Sequence, residues 1–200
     1  MAFNSSRVHL RRVNAAFAAT VPPGALVLDA GAGDQPYRAL FAHATYEAAD
    51  FEQSNRAYQP STYVCDLTAI PVTDGRFDAV VFNQVMEHLP DPLAALRELR
   101  RVMKPGARII CTCPLFYGEH EQPYDFYRYT QFAHRHLFGA AGFRVDSVDW
   151  LEGYHGTVAS IQRAWSSASS PGRPRVTSSI GSFDRMATPL KLFWPWVATL

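Results

Sequence analysis

From the start of the chain to about residue 150, short apolar runs alternate with amphipathic stretches. Leu10, Val13 and Phe17 fall on one face behind Ser5 and Ser6, which predicts a leading helix. Pro22-Pro23-Gly24 breaks it, and residues 25–29 (ALVLD) read as a short strand ending in an acid. A helix is expected over 36–42, a second strand over 46–50 and a short third over 63–65 with Asp66 behind it. The run FDAVVF at 77–82 is continuously apolar, as a strand buried on both faces of a parallel sheet would be. Leu93, Leu96, Leu99 and Val102 or Met103 make one stripe of a helix over 92–103, stopped by Lys104-Pro105-Gly106. A fifth strand follows over 108–113, then a helix from a Thr130 cap to about residue 141, and a sixth strand over 143–150.

This alternation predicts an α/β fold: a doubly wound, mostly parallel, Rossmann-like sheet with helices on both faces. Ligands of such sheets bind beyond the carboxyl ends of the strands, where the winding reverses. That is where Asp29, Gly31, Gly33, Asp50 and Asp66 fall. The domain is expected over 1–165, a Ser/Pro/Gly/Arg-rich linker over 166–182 and an aromatic-rich segment over 183–200. No final antiparallel strand is evident, so the sheet is expected to lack it and the chain to stop short of it. The run at 190–200 (LKLFWPWVATL) reads as a packing helix or as a peripheral contact with a membrane or partner.

Composition narrows the classes. With 48% hydrophobic and 18% charged residues the chain is globular, and a net charge of +1 gives no sign of a nucleic-acid partner. No run reaches the roughly 18 apolar residues of a membrane span. Three cysteines, two of them one residue apart at 111 and 113, make no disulfide framework and suit a reducing, cytoplasmic compartment. No metal is expected: C-x-C has no second Cys/His pair, and His134 and His136 face apart on a helix, so they cannot share an ion with His120 and Glu121.

The run VLDAGAGD at 27–34 carries the chemistry. A Gly-x-Gly turn after a buried strand lets backbone approach a ligand closely, which suits NAD, FAD and S-adenosylmethionine alike. In the dinucleotide pattern a third glycine would stand at residue 36, where this chain has proline. Proline removes an N–H from the helix end that would receive a pyrophosphate. S-adenosylmethionine has no phosphate and needs no such donor.

VLDAGAGDQPY, the acid at Asp50, CDL at 65–67, FDAVVFNQVMEHLPDP at 77–92 and ELRRVMKPGARIICTCP at 98–114 together resemble the class I S-adenosylmethionine-dependent methyltransferases of small molecules. The resemblance implies that Gly31 and Gly33 line the methionine portion and that Asp29 holds its ammonium. It implies Asp50 on the ribose hydroxyls, Asp66 and the Leu67 backbone at the adenine edge, and Asn83 and Gln84 beneath the reacting methyl.

On the acceptor side the loop at 114–130 (PLFYGEHEQPYDFYRYT) mixes carboxylates and histidine with aromatic rings, as a polar ring-shaped acceptor would require. HEQPYDFYRYT resembles a loop in methyltransferases associated with glycan biosynthesis, which implies a sugar hydroxyl. His120 is the expected general base, with Asp125 as its catalytic partner and His88, Tyr124, Tyr127 and Arg128 toward the acceptor. Pinning of the loop by His120 and Asp125 is the competing role. The alternatives to an enzyme of this class are a crippled S-adenosylmethionine-binding protein and a nicotinamide-dependent oxidoreductase.

Overall fold

The winding starts at β1 (Leu26–Ala30) and runs outward in both directions. A computed structural model describes residues 5–53, 59–151, 153, 156–159 and 162. Around β1 lie β2 (Thr45–Asp50) and β3 (Tyr63–Val64) on one side, and β4 (Phe77–Asn83) and β5 (Met103–Thr112) on the other. The order is β3-β2-β1-β4-β5, and every neighbouring pair is parallel. The direction of winding therefore reverses between β1 and β4, as expected of a doubly wound sheet.

Helix α1 (Ser5–Ala18) covers one face, and α2 (Pro92–Val102) and α3 (Gln131–Ala140) cover the other. Side chains alternate along each strand, so Val27, Ala79 and Val81 turn toward Leu10 and Phe17 of α1. Leu28, Val80 and Phe82 turn toward Leu96 and Leu99 of α2. Phe82, Leu28, Leu96 and Leu99 are fully buried, and such side chains contribute about 1.5–3 kcal/mol each. Asp91 starts α2 by accepting from the Ala94 amide, with Pro92 next in line; Thr130 starts α3 by accepting from the Ala133 amide.

Two expected elements differ. Over 36–42 only a 3-10 turn, Arg38–Phe41, forms. Over 143–150 no strand forms, although Phe143 and Val145 do pack on the core. Alternation of side chains reports which residues face the core; it says nothing about whether the backbone amides find a partner. The expectations for 166–182 and 183–200, and most of the question of a last strand, lie outside the described residues. Residues 156–159 and 162 are helical. No helix among the described residues is long and apolar enough to cross a membrane.

One polar side chain sits on the buried face of α1. Asn14 is fully buried; its amide donates to the Leu10 carbonyl at 2.9 Å and its oxygen accepts from Asn83 at 2.7 Å. Asn83 in turn accepts from the Thr112 hydroxyl at 2.8 Å, which accepts from Gln84 at 3.2 Å. The carboxyl end of β4 is thereby tied to α1 on one side and to β5 on the other. Asn14→Ala would strand the Asn83 amide in the interior, an expected loss of about 1–3 kcal/mol in urea unfolding. An unchanged midpoint would show that the chain of hydrogen bonds holds nothing.

Candidate active site

The glycine turn lies at the reversal point. Gly31 (φ 73°) and Gly33 (φ 52°) both occupy the left-handed region. The amides of Gly31 and Ala32 donate to the Ala49 carbonyl at 2.8 and 3.2 Å, folding the turn back over β2. A β-carbon on Gly31 would lie 2.3 Å from Cγ2 of Val85, which follows β4. At Gly33 a β-carbon would meet nothing within 4 Å, so this glycine borders open space.

Three carboxylates rim the turn. Asp29 is 3% exposed and accepts a hydrogen bond from the Tyr46 hydroxyl. Burial pushes its pKa up to about 7, the Tyr46 hydrogen bond opposes that rise, and Asp50 and Asp34 add repulsion. Asp50 accepts from the Gly33 amide at 2.8 Å through one oxygen and from the Glu52 amide at 2.9 Å through the other. Each oxygen has a second lone pair for a ligand. Asp66, at the end of β3, is exposed, and one of its oxygens accepts from the Thr68 amide and hydroxyl, both at 2.8 Å. Leu67 beside it is buried. Asp34, a candidate helix cap in the sequence, is exposed in the turn, and the 3-10 turn that follows has no side-chain cap.

Asn83 and Gln84 stand at the end of β4 as expected, but their side chains are engaged with Asn14 and Thr112. Gln84 has φ 56°, and its amide donates to the Thr112 carbonyl at 2.7 Å. This turn opens a short 3-10 helix, Met86–His88, that carries two of the site's unusual groups. The Glu87 side chain is fully buried, and neither oxygen has a hydrogen-bond partner among the described residues. Burial pushes its pKa up to about 7. The His88 Nδ1 faces the Tyr124 carbonyl, while its buried Nε2 has no hydrogen bond and lies 3.8 Å from Glu87 Oε1.

The loop at 114–130 lies over this turn. The amides of Phe126 and Tyr127 donate to the Glu87 carbonyl at 2.9 and 3.2 Å, and the Tyr129 hydroxyl donates to the Met86 carbonyl at 3.0 Å. Inside the loop Arg128 grips Asp125 through two hydrogen bonds of 2.6 and 2.9 Å and reaches the Tyr117 and Gly118 carbonyls at 3.2 Å. The Arg128 guanidinium holds the Asp125 carboxyl well below the usual carboxylate range. Asp125 also accepts from the His120 amide at 2.9 Å. Both members of the Asp125–Arg128 pair are thus spent on the shape of the loop, which places the ring of His120 4.6 Å from that of His88. Burial and the neighbouring His88 lower the pKa of His120. The exposed Tyr117 ring lies 5.0 Å from that of His120; Tyr124 and Tyr127 are exposed elsewhere in the loop, Tyr127 donating to the Pro90 carbonyl at 3.1 Å.

The structure therefore brings together Asp29, Gly31, Gly33 and Asp50 in one cluster and the rings of His88 and His120 in a second, both at the carboxyl edge; Tyr124 and Tyr127 meet this second cluster through backbone groups, the Tyr124 carbonyl at His88 and the Tyr127 amide at Glu87. Sequence reasoning missed Asn14, Tyr46 and Val85, and read Glu87 only as part of a short helix. A polar residue four positions after Leu10 on an apolar face was the available signal for Asn14; nothing local marks the others. An open cleft of about 590 Å³ lined by Tyr63, Ile70, Val72, Arg76 and Arg101 lies where the chain enters β3 and β4, at the amino ends of the strands and away from both clusters.

A parallel sheet that reverses at a glycine turn, with acids closing β1 and β2 and a third behind β3, defines a cofactor-binding α/β enzyme fold. The chain belongs to the methyltransferase domain family, whose model matches residues 5–148. It is 29% identical over 184 residues to an uncharacterized methyltransferase of Mycobacterium sp. (strain JLS), covering 76% of this chain and 73% of that one. Its fold is similar to that of the 1,6-didemethyltoxoflavin-N1-methyltransferase of Burkholderia thailandensis, solved with 1,6-didemethyltoxoflavin and S-adenosylhomocysteine (TM-score 0.58, 22% identity, 70% of each chain). It is also similar to the [4+2]-cyclase SpnF (TM-score 0.56, 20% identity, 71% of this chain and 58% of that one). The protein is an S-adenosylmethionine-dependent methyltransferase, which sets aside the nicotinamide-dependent reading.

Two outcomes follow from this geometry. Gly31→Ala, which meets both a left-handed φ and the stiff Val85, is expected to destabilise by more than Gly33→Ala, whose cost is about 1 kcal/mol of backbone strain. Equal losses in thermal unfolding would contradict the close approach. For Asp29 the folded pKa of about 7 exceeds the unfolded value of about 3.9. The unfolded chain then ionises first, so stability of the ligand-free protein falls between about pH 4 and pH 7 and levels above it. Asp29→Asn should remove that fall, a gain on the order of 2–4 kcal/mol at pH 8. Parallel stability–pH curves for the two proteins would show that Asp29 is ionised at little cost.

Proposed function

We propose that the chain transfers the methyl group of S-adenosylmethionine to a hydroxyl of a sugar or similar small polar ring, with His120 taking up the hydroxyl proton. The observation that carries the acceptor reading is the second cluster: two imidazoles in contact, with the exposed Tyr117 ring 5.0 Å from that of His120, in a loop that also exposes Tyr124 and Tyr127. Flat rings with polar tips suit the faces and hydroxyls of a sugar.

The first cluster fits the cofactor. Asp29 is a buried acid whose one hydrogen-bond donor is a tyrosine, so the cationic ammonium of a methionine moiety would relieve it. Gly33 borders open space for that moiety, Gly31 lets the turn close against Val85 beside it, and Asp50 keeps lone pairs for both ribose hydroxyls. Asp66 and the Leu67 backbone stand next along the edge for the adenine. Asn83 and Gln84 act through the turn they hold, since their side chains are tied to α1 and β5.

S-adenosylmethionine supplies a methyl group already activated on a sulfonium. The protein has to position the acceptor in line and manage its proton. His120 Nδ1 lies 3.2 Å from the Gly118 carbonyl, so with the ring proton there Nε2 carries the lone pair. Asp125 and Arg128 keep that ring in place by holding the loop, and Tyr124 and Tyr127 line the approach.

Calorimetry and turnover test the two clusters separately. Asp50→Ala should weaken S-adenosylhomocysteine binding by about 2–3 kcal/mol, the scale of lost charge-assisted hydrogen bonds. His120→Ala should keep that binding while turnover on a sugar hydroxyl falls about 10²- to 10⁴-fold. Unchanged turnover would remove His120 from the mechanism, and methylation of amines but no hydroxyl would overturn the acceptor class.

A further inference from the structure

One buried acid, Glu87, has been assigned no part in holding the cofactor or the acceptor. Glu87 places a carboxyl in the interior where, among the described residues, neither oxygen has a hydrogen bond of ordinary geometry and the weak donor Cys113 Sγ is its polar neighbour. A buried carboxyl left unpaired is expensive, and a native fold that keeps one calls for an explanation such as an ion. His88 adds a second orphan: its Nε2 is buried, unpartnered and 3.8 Å from Glu87. His120 completes a set, since each of the three residues offers a ligand atom within 4.8 Å of the other two.

We infer that Glu87, His88 and His120 bind one divalent transition-metal ion at the acceptor side of the site. This rests on the hydroxyl-acceptor reading for its purpose, though not for its existence. Both imidazoles are oriented as metal ligands are. His88 Nδ1 faces the Tyr124 carbonyl, and His120 Nδ1 faces the Gly118 carbonyl at 3.2 Å with Asp125 at 3.4 Å. Metal-binding histidines characteristically spend one ring nitrogen on such a carbonyl or carboxylate, which fixes the tautomer and leaves the other nitrogen to the ion. Asp125 and Arg128, which clamp the loop, would thereby also hold one ligand in position. Glu121 stands at the rim, Oε1 3.9 Å from His88 Nε2.

Donors around an ion with bonds of 2.0–2.2 Å lie ~3.4 Å apart, so the observed spacing closes with side-chain shifts of about 1 Å. Two imidazoles with a carboxylate favour zinc, iron, cobalt or manganese over magnesium. Cys111, Cys113 and His134 form a second group with similar spacing. Its two sulfurs face each other at 3.8 Å, and a thiolate ligand set of this kind would announce itself by a charge-transfer band that the Glu87 set lacks.

The ion would have a defined task. With the ion bound, His120 Nε2 would serve as its ligand and not as the base, and an acceptor hydroxyl on the ion would lose its proton to water more readily. The acceptor oxygen then forms its bond to the methyl carbon as the carbon–sulfur bond breaks. The electron pair stays on sulfur, giving neutral S-adenosylhomocysteine and one released proton.

Cobalt(II) added to the metal-stripped full chain tests this through its visible absorption. The expected result is one cobalt ion per chain without a thiolate charge-transfer band. Glu87→Gln and His120→Asn should each weaken binding at least tenfold while S-adenosylhomocysteine binding, which reports folding, is kept. Cys111→Ser should change nothing, and methyl transfer should stop with chelator and return with cobalt, zinc or manganese. A wild-type chain that binds S-adenosylhomocysteine but no cobalt would overturn the site. So would a thiolate band that Cys111→Ser removes, or turnover indifferent to chelator. Cobalt uptake at Glu87 with no transfer to any hydroxyl would instead sink the acceptor reading and leave the ion site standing.

Discussion

Gly31 and Val85 approach more closely than a β-carbon would allow, and the carboxyl edge of the sheet is organised around that contact. Parallel pairing of β1 with β4, from Val27↔Ala79 to Asp29↔Val81, delivers the two turns side by side where the winding reverses. On one side the Gly31 turn folds over Ala49 and presents the Gly33 amide to Asp50. On the other, Val85 leads into the 3-10 helix that carries Glu87 and His88 under the 114–130 loop. A side chain at residue 31 would wedge these turns apart and separate the Asp29–Asp50 cluster from the His88–His120 cluster.

The polar groups of the edge divide by how well they are satisfied. Asn14, Asn83, Thr112 and Gln84 pass hydrogen bonds from α1 to β5 and hold the strand ends in register. Asp125 and Arg128 satisfy each other and the loop backbone. Asp29 and Glu87 are left with raised pKa values and one hydroxyl partner between them. Burial with so little compensation is stable only because the surrounding core holds it, and groups of this kind cluster at functional sites. The methionine ammonium proposed at Asp29 would answer one of these two acids, and the proposed metal ion would answer Glu87.

The glycine turn and the acids beside it are legible in the sequence because their signals are local. Val27 to Asp34 lie within one strand and one turn, so the run itself shows a buried strand, a tight turn and an acid. Proline at residue 36 distinguishes cofactors without any tertiary knowledge, because its missing N–H is a covalent property. Strand alternation likewise placed β1, β2, β4 and α2 closely, and went astray at 143–150, where the period was present and the ladder was not.

What the sequence by itself determined is the order of helices and strands, the parallel winding and the place of the glycine turn, because each follows from periodicity and covalent chemistry over a few residues. Only the tertiary structure decided which polar groups meet. Asn14 and Asn83 are 69 residues apart in the chain. Tyr46 reaches Asp29 across two strands, and Glu87, His88 and His120 gather through a loop whose shape depends on Asp125 and Arg128. Contacts of that range are set by packing and by the hydrogen bonds left over after the strands have paired, and no local pattern encodes them.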